Sequence, residues 1–580
     1  MKSNTTYAAV LVILLIVIYP WVSGLQGNRS RNMAQFIPDS ALVYFEQHHG
    51  TKALKEFTES PLGKNFEAIN FLETGKKIGL TDSFLLNLED ILTFYATAKD
   101  NKLFHEILGE MFAVAIFSPI DSKEYTDVKD YIRENTIIVS KPKHNAGVLD
   151  FLGESYGRYA QVYYVSSAQY GNHHIKRIQI KEEKFSIVTI EGFLIMSLNE
   201  RHLRRCIDTY DAELPALTKS SDFVKIRKNF EISDRFFYLP INNARKFVME
   251  SVADLAFPGK ELLLKELETT VGFINFGYGS WNSKESVVDK VMVQYNNSEV
   301  NSIVKNHTDI ASSRCSMLSL TTENPMAFYW SNTVKIQHLL RYFENNTKKE
   351  PQIEKFWSTV EGVTGKNTEE IFSLLGGEVS LVLEPGPKEN FFSFPLGMVF
   401  LKVKNVPELR TIFEKIIDEY NIPVSVKLYG PLGYTYWTPA PQDGLQPLYG
   451  FWGDYLFFGN SSSLLRMIFK KKSGDFSLLD NANIKTIDPG FTEKNNSITY
   501  MNNVELIKVL KKLLDLVGMT LSIENRETAD KVRAILDGII NPLLDGASMY
   551  DKSSTRSYFT PDMVIVDSIT NKTTGPTIKD

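Results

Sequence analysis

Only two cysteines, Cys206 and Cys315, occur in 580 residues, so no disulfide framework holds this chain together. An oxidising compartment would allow one bridge between them and no more; apolar cores have to supply the stability. An excess of one charge is missing too: 64 basic against 69 acidic residues leave a net charge of −5, which offers phosphate backbones and anionic bilayers no broad attraction. Nucleic acid is therefore not expected as a partner. No long apolar run recurs after residue 25, which argues against a polytopic membrane protein. What is present is globular: 43% hydrophobic, 12% aromatic and 23% charged residues, in a length that predicts about two to four domains.

The one long apolar run, YAAVLVILLIVIYPWVSGL at residues 7–25, follows Lys2. Its continuous part has signal-peptide length, Pro20 interrupts it, and Val22-Ser23-Gly24 offers small residues for cleavage. A signal anchor is the competing reading, because the run approaches the roughly 20 residues that span a bilayer. Both place the remainder of the chain outside the cytoplasm.

Self-similarity comes next. DSALVYFEQHHGTKALKEF, with Tyr44, resembles NPMAFYWSNTVKIQHLLRY, with Tyr329. Further on, VLDFLGES lies over ELRTIFEK, pairing Leu149 with Leu409, and SIVTIEGFLIMSLNERHLRRCI lies over PLYGFWGDYLFFGNSSSLLRMI. The latter pairs Gly192 with Gly453, Asn199 with Asn460, Leu203 with Leu464 and Ile207 with Ile468. Asn242-Asn243 matches Asn502-Asn503 before another helix start. The separation between the repeats narrows once, which predicts a surface insert in the first repeat that contains DSKEYTDVKDYIREN.

The periodicities predict an α+β fold. Val406, Leu409, Ile412, Phe413 and Ile416 recur at helical spacing, as do Ile336, Leu339, Leu340 and Phe343. FPLGMVFLKV, VSVKLYG and DYLFFG read as strands, and GFINFGYGSWNSKESVVDKVMVQY and GASMYDKSSTRSYFTPDMVIVDSI as hairpins. Adjacent strand pairs point to two tandem similar modules, each mostly antiparallel sheet with helices on one face. The expected layout is a signal or anchor at 1–25, a linker at 26–36, copy one at 37–300, a linker at 301–321, copy two at 322–570 and a polar tail at 571–580. The module opening, Pro38-Asp39 before Tyr44 and then Ser60-Pro61-Leu62-Gly63-Lys64, resembles the start of an exported bacterial domain family of unknown function. That resemblance implies an N-terminal membrane signal and tandem α+β halves, although Glu323-Asn324 replaces Pro38-Asp39 in the second copy.

Chemical motifs are few. Gly153-Glu154-Ser155-Tyr156-Gly157 has the G-x-S-x-G spacing of a nucleophile elbow, but Ser155 lies over Lys415 within a helical pattern, so the elbow strand is missing. His48-His49 and His173-His174 lack the further ligands a metal needs and read as turn residues. Gly75-Lys76 and Gly365-Lys366 lack the rest of a P-loop, and Gly277-Tyr278-Gly279-Ser280 is placed between hairpin strands. Ser140 to Lys143 has S-x-x-K spacing, which Pro142 removes from any regular helix. Cys206 reads as a small core residue, and Phe391-Phe392, Phe457-Phe458 and Phe236-Phe237-Tyr238 as strand aromatics facing a core, or else a groove for an apolar ligand. No catalytic, cofactor-binding or metal residue is assigned. The expectation is a non-enzymatic extracytoplasmic envelope protein, membrane-anchored or secreted, binding a protein, lipid or glycan through a surface or cleft formed by its two duplicated modules. The alternative is an exported hydrolase or lipid-handling protein with a site between the modules.

Overall fold

The computed structural model describes residues 32–120, 128–142, 162–180, 183–253, 260–334, 351–387, 394–438, 444–469, 477–524 and 526–573. Among the described residues, ten strands precede residue 300: β1 (Val43–His48), β2 (Met111–Ile116), β3 (Thr136–Lys141), β4 (Val162–Tyr170), β5 (His173–Ile180), β6 (Glu183–Ile190), β7 (Phe193–Ser197), β8 (Arg235–Pro240), β9 (Phe273–Asn282) and β10 (Ser286–Tyr295). Ten follow: β11 (Ala327–Ser331), β12 (Leu375–Glu384), β13 (Leu396–Val403), β14 (Val424–Tyr429), β15 (Leu432–Trp437), β16 (Leu448–Trp452), β17 (Tyr455–Gly459), β18 (Ser497–Asn502), β19 (Tyr550–Thr560) and β20 (Met563–Lys572). All pair antiparallel into one sheet, so the α+β class holds. From one edge the order is β4-β5-β6-β7-β3-β2-β1-β8-β9-β10. It continues through a β10–β20 seam as β20-β19-β18-β11-β12-β13-β17-β16-β15-β14. Outward from the seam, the order on one side equals that on the other with each label raised by ten.

The residues at like places in the strand order differ by one position from those paired by sequence. Tyr44 is buried and pairs with Ala115 and Tyr238, whereas the residue buried between Val382 and Tyr500 is Phe328. Tyr329, its neighbour in the strand, faces the other side. The turn after β6 is Glu191-Gly192 and the turn after β16 is Gly453-Asp454. Gly192 and Gly453 are thus one step apart in corresponding turns. Glu191 and Gly453, each the first residue of its turn, both have positive φ, 51° and 56°. Two-residue hairpins of this kind need positive φ, and glycine serves at either position, which is why aligning the glycines slips the register. The same step makes Ser461, whose Oγ accepts from Leu464 N at 3.0 Å, the counterpart of Asn199, which caps Glu200–Tyr210. Leu149 and the stripe from Ile336 to Phe343 lie outside the described residues.

Helices cover both sheet faces, contrary to the single covered face expected from sequence. Phe457 packs with Leu464, Leu465 and Ile468 of the helix Ser462–Phe469, while its neighbour Leu456 packs with Leu409 and Ile412 of the helix Val406–Glu419. Adjacent strand residues point to opposite faces, so these helices lie on opposite sides. Likewise Ile195 packs with Leu203, and Leu194 with Ile107. The first face, here the filled face, holds two large cores: one around Tyr44, Ile137, Leu203, Phe223 and Phe236, the other around Phe328, Trp330, Phe400, Phe457 and Tyr500. Each fully buried ring contributes about 1.5–3 kcal/mol.

Segments expected as linkers also take part. Met33, Ala34 and Phe36 join the first core from a 3₁₀ turn, and Met317 and Leu318 join the second. The helix Ser302–Thr308 lies in the 301–321 stretch, and Asn571, assigned to the tail, pairs with Ser286 in β20.

Candidate functional site: a cavity at the seam

The opposite face of the sheet is less well filled. Around the seam its side chains come from Tyr278 on β9, Val287 and Asp289 on β10, Ser568 and Thr570 on β20, and Ser553 on β19; these residues form a continuous floor in register. Hydroxyls dominate here because β19 and β20 carry short Ser and Thr at alternating positions. Thr555 and Ser568 share a hydrogen bond at 2.9 Å, and Ser553 Oγ donates to Asn503 Oδ1 at 3.2 Å.

A roof crosses above. The helix Asn503–Glu524 starts where Asn502 Oδ1 accepts from Glu505 N at 3.2 Å, and Leu506, Ile507, Leu510 and Leu513 recur on one face at helical spacing. Leu544 and Ala547 of Asn541–Ala547 complete it. The roof is tied to helices of the N-terminal part by close approach: a Cβ on Gly546 would meet Leu62 Cα at 2.6 Å, and one on Gly538 would meet Thr74 Oγ1 at 2.6 Å. Floor and roof border an open cleft of about 840 Å³, within the roughly 300–1,000 Å³ of small-molecule sites. The short floor side chains cannot reach the roof, and the leucines are left partly accessible, Leu510 by 43% and Leu513 by 40%.

The lining is graded. At the β9–β10 end Tyr278 OH donates to Asp289 Oδ1 at 2.7 Å. Burial, reinforced by that carboxylate, pushes the Tyr278 hydroxyl well up. Burial also lifts the Tyr550 hydroxyl to about 12, with Arg235 and Asp289 acting on it in opposite senses. Arg235 is 1% exposed, and its Nε donates to Gln47 Oε1 at 2.9 Å. At the far end stand Met326, Leu383 and Pro395. Asp289 is the one charged residue among the described residues of the lining.

A second cavity of about 600 Å³ lies on the same face, between Val406–Glu419 and β15–β17, lined by Leu409, Phe413, Trp437 and Phe458 with no charged residue among those described.

Two buried carboxyls stand elsewhere. Glu46 accepts from Tyr44 OH at 2.7 Å and from Arg227 Nη2 at 2.8 Å, and contacts His48 Nε2 at 2.5 Å. Burial would raise its pKa, but the Arg227 charge and these bonds outweigh burial and bring it to about 2. Glu384 accepts from the Thr322 hydroxyl, and burial raises it to about 7.

The motifs singled out from sequence do not converge on the cavity. Gly153 to Gly157, Lys143 and Phe391-Phe392 lie outside the described residues. His48 serves Glu46, and His49 takes a left-handed φ of 54° before the helix Gly50–Glu59. His173 contacts Asp211 at 3.2 Å. No group of three or more metal-ligating side chains is found among the described residues. Gly75-Lys76 lies inside the helix Phe71–Lys77, and Gly365-Lys366 ends Pro351–Thr364. Gly277-Tyr278-Gly279-Ser280 lies within β9, not between strands: a Cβ on Gly277 would strike Ile226 Cγ2 at 2.4 Å, and one on Gly279 would strike Phe230 at 2.2 Å. The glycines admit those core side chains, and Tyr278 between them faces the cavity. Cys206 and Cys315 are free and pack in separate cores. Burial pushes each thiol to about 12. Phe236 and Phe457 are core rings, while Phe458 lines the second cavity.

The seam cavity itself was missed. Its sequence signal is Ser and Thr at alternating positions in the two last strands, KSSTRS and DSIT, opposite a helix bearing leucines on one face. Among the described residues no helix is long and apolar enough to cross a membrane.

No curated protein matches the chain. Among solved structures it is similar to crystal form III of TP0453, with 10% identity, TM-score 0.22, and coverage of 48% of this chain and 84% of that one. For crystal form IV the values are 11%, 0.24, 46% and 81%. The family described as "Protein of unknown function (DUF3352)" matches residues 105–536, well over half the length, and the chain therefore belongs to that family.

Proposed function

We propose that this is a non-enzymatic extracytoplasmic envelope protein, anchored by or released past residues 1–25, built from two copies of one α+β module, and that the cleft where the copies meet binds a lipid. The duplication is supported by the strand order, which repeats outward from the seam, with Tyr44 and Phe328 at equivalent buried places. Export is supported by the apolar run at residues 7–25.

The observation that carries the ligand assignment is the graded cavity: about 840 Å³, leucine-roofed, hydroxyl-floored, with its carboxylate Asp289 and Tyr278 towards one end and Met326, Leu383 and Pro395 towards the other. Apolar pockets with a few placed polar groups are binding sites as a class. Its floor hydroxyls, Ser553 and Ser568, have Asn503 and Thr555 as partners, neither of them a base that would activate a nucleophile. Binding without turnover is the reading this chemistry supports.

Titration of the full chain with the uncharged fluorophore N-phenyl-1-naphthylamine tests it. Saturable binding is expected, weakened at least tenfold by Leu510→Trp, which fills the cavity from its roof. Binding that never saturates, or that Leu510→Trp leaves unchanged, contradicts the assignment.

A further inference from the structure

Resting on that cavity, we infer that its ligand is a single-chain amphiphile with an uncharged, hydroxyl-bearing head, seated with the head at Asp289 and Tyr278 and the tail running under the roof helix towards Leu383.

Three observations carry this. The first is length. From Tyr278 on β9 to Leu383 on β12 the floor crosses β10, β20, β19, β18 and β11, six strand spacings or about 29 Å at about 4.8 Å each. That is an elongated site, suited to a chain more than to a compact ring system. The second is polarity. Asp289, Tyr278, Ser568 and Thr570 lie towards one end, Met326, Leu383 and Pro395 towards the other, and the leucines of the roof lie above. An amphiphile satisfies both ends; a wholly apolar ligand would leave Asp289 buried against hydrocarbon, which is costly.

The third is charge. A carboxylate or phosphate head would sit against Asp289, where like charges repel. No Lys, Arg or His is among the described residues of the lining to offset this. A cationic head is disfavoured by the fully buried Arg235, which stands on the same face of the sheet, since Arg235 pairs with Ser280 and Ser280 with Asp289 across β8, β9 and β10. Between a carboxylate in the lining and a guanidinium two strands along the same face, an uncharged polyol is the head that meets no net opposition. Its hydroxyls would donate to Asp289 and accept from the Ser and Thr hydroxyls.

Competition for the bound fluorophore on the full chain, in alkaline buffer, compares monoolein with oleate. The two share one acyl chain and differ in the head. Monoolein is expected to displace the probe at a concentration at least tenfold below oleate. Asp289→Asn should close most of that gap by improving oleate, whereas Tyr278→Phe, which keeps the carboxylate, should preserve it. Ser568→Asp, adding a second carboxylate beside the first, should widen the gap and gives a readout if Asp289→Asn does not fold. Equal competition by the two lipids, or a gap that neither Asp289→Asn nor Ser568→Asp changes, overturns the inference. A probe that binds but yields to neither lipid overturns the head-group assignment and leaves the cavity reading standing; a probe that never binds removes both.

Discussion

The two faces of the sheet are built to different rules. On the filled face, large rings meet large rings: Phe223 and Tyr238 lie 5.0 Å apart, Phe230 and Phe236 5.3 Å, and Trp330 is wholly buried with its Nε1 donating to Glu378 at 2.7 Å. On the cavity face near the seam, the same strands present Ser, Thr and one Asp beneath a leucine-bearing helix. Interiors are normally packed to crystal density, so unfilled apolar volume beside intact cores is a local property of side-chain length at the seam. It does not reflect a loosely folded chain. Even at the seam the other face is closed by charge: Asp567 bridges Arg556 at 3.1 Å and Lys290 at 3.4 Å.

This contrast makes substitutions unequal. The largest effect is expected on the filled face, where Trp330→Ala should cost about 3–5 kcal/mol in chemical denaturation; a loss under about 1 kcal/mol would mean that this core is not close-packed. Glu46→Gln should cost on the order of 3 kcal/mol at neutral pH, since it leaves Arg227 without its buried counter-charge. Because the Glu46 pKa in the fold, about 2, lies below its ordinary 4.5, its contribution is present above pH 4.5 and is lost as pH falls towards 2. Acid titration of stability should therefore differ between wild type and Glu46→Gln in that window.

Glu384 runs the other way. Its folded pKa of about 7 exceeds the ordinary 4.5, so stability present below pH 4.5 is lost as pH rises through 7. Glu384→Gln should stabilise at pH 8 by about 3 kcal/mol and change little at pH 4. A pH-independent effect in thermal melts would refute this. Gly279→Ala, pressing a methyl into Phe230, should cost about 1–3 kcal/mol. The smallest effect belongs to the cavity face: Leu513→Ala, trimming a residue that already borders open volume, should cost under about 1 kcal/mol. A large loss there would show that the roof leucines are core.

Much of this architecture was legible in the sequence, for identifiable reasons. The helix Val406–Glu419 and both terminal hairpins carry clean periodicity and strong turn residues, and β6–β7 and β16–β17 each carry a glycine in their turn. The register slipped by one because glycine is accepted at either turn position, while Tyr329 looked like Tyr44 by letter although Phe328 holds its place. The second helical layer was missed because amphipathicity says that a helix has one buried stripe and nothing about which sheet face receives it. The cavity left only the weak signal of alternating Ser and Thr in the two last strands, since it arises from what short side chains fail to fill between segments more than 200 residues apart in sequence, such as Tyr278 and Leu506. Paired histidines and the Gly-Tyr-Gly run drew attention as chemical motifs but proved to serve a carboxylate and a close helix–strand contact.

The most direct test is a crystal structure of the full chain grown with monoolein. The account predicts one elongated density between the helix Asn503–Glu524 and β19–β20, its head within hydrogen-bond reach of Asp289. A helix settled onto the sheet with the space between them closed, and no density there, would contradict it.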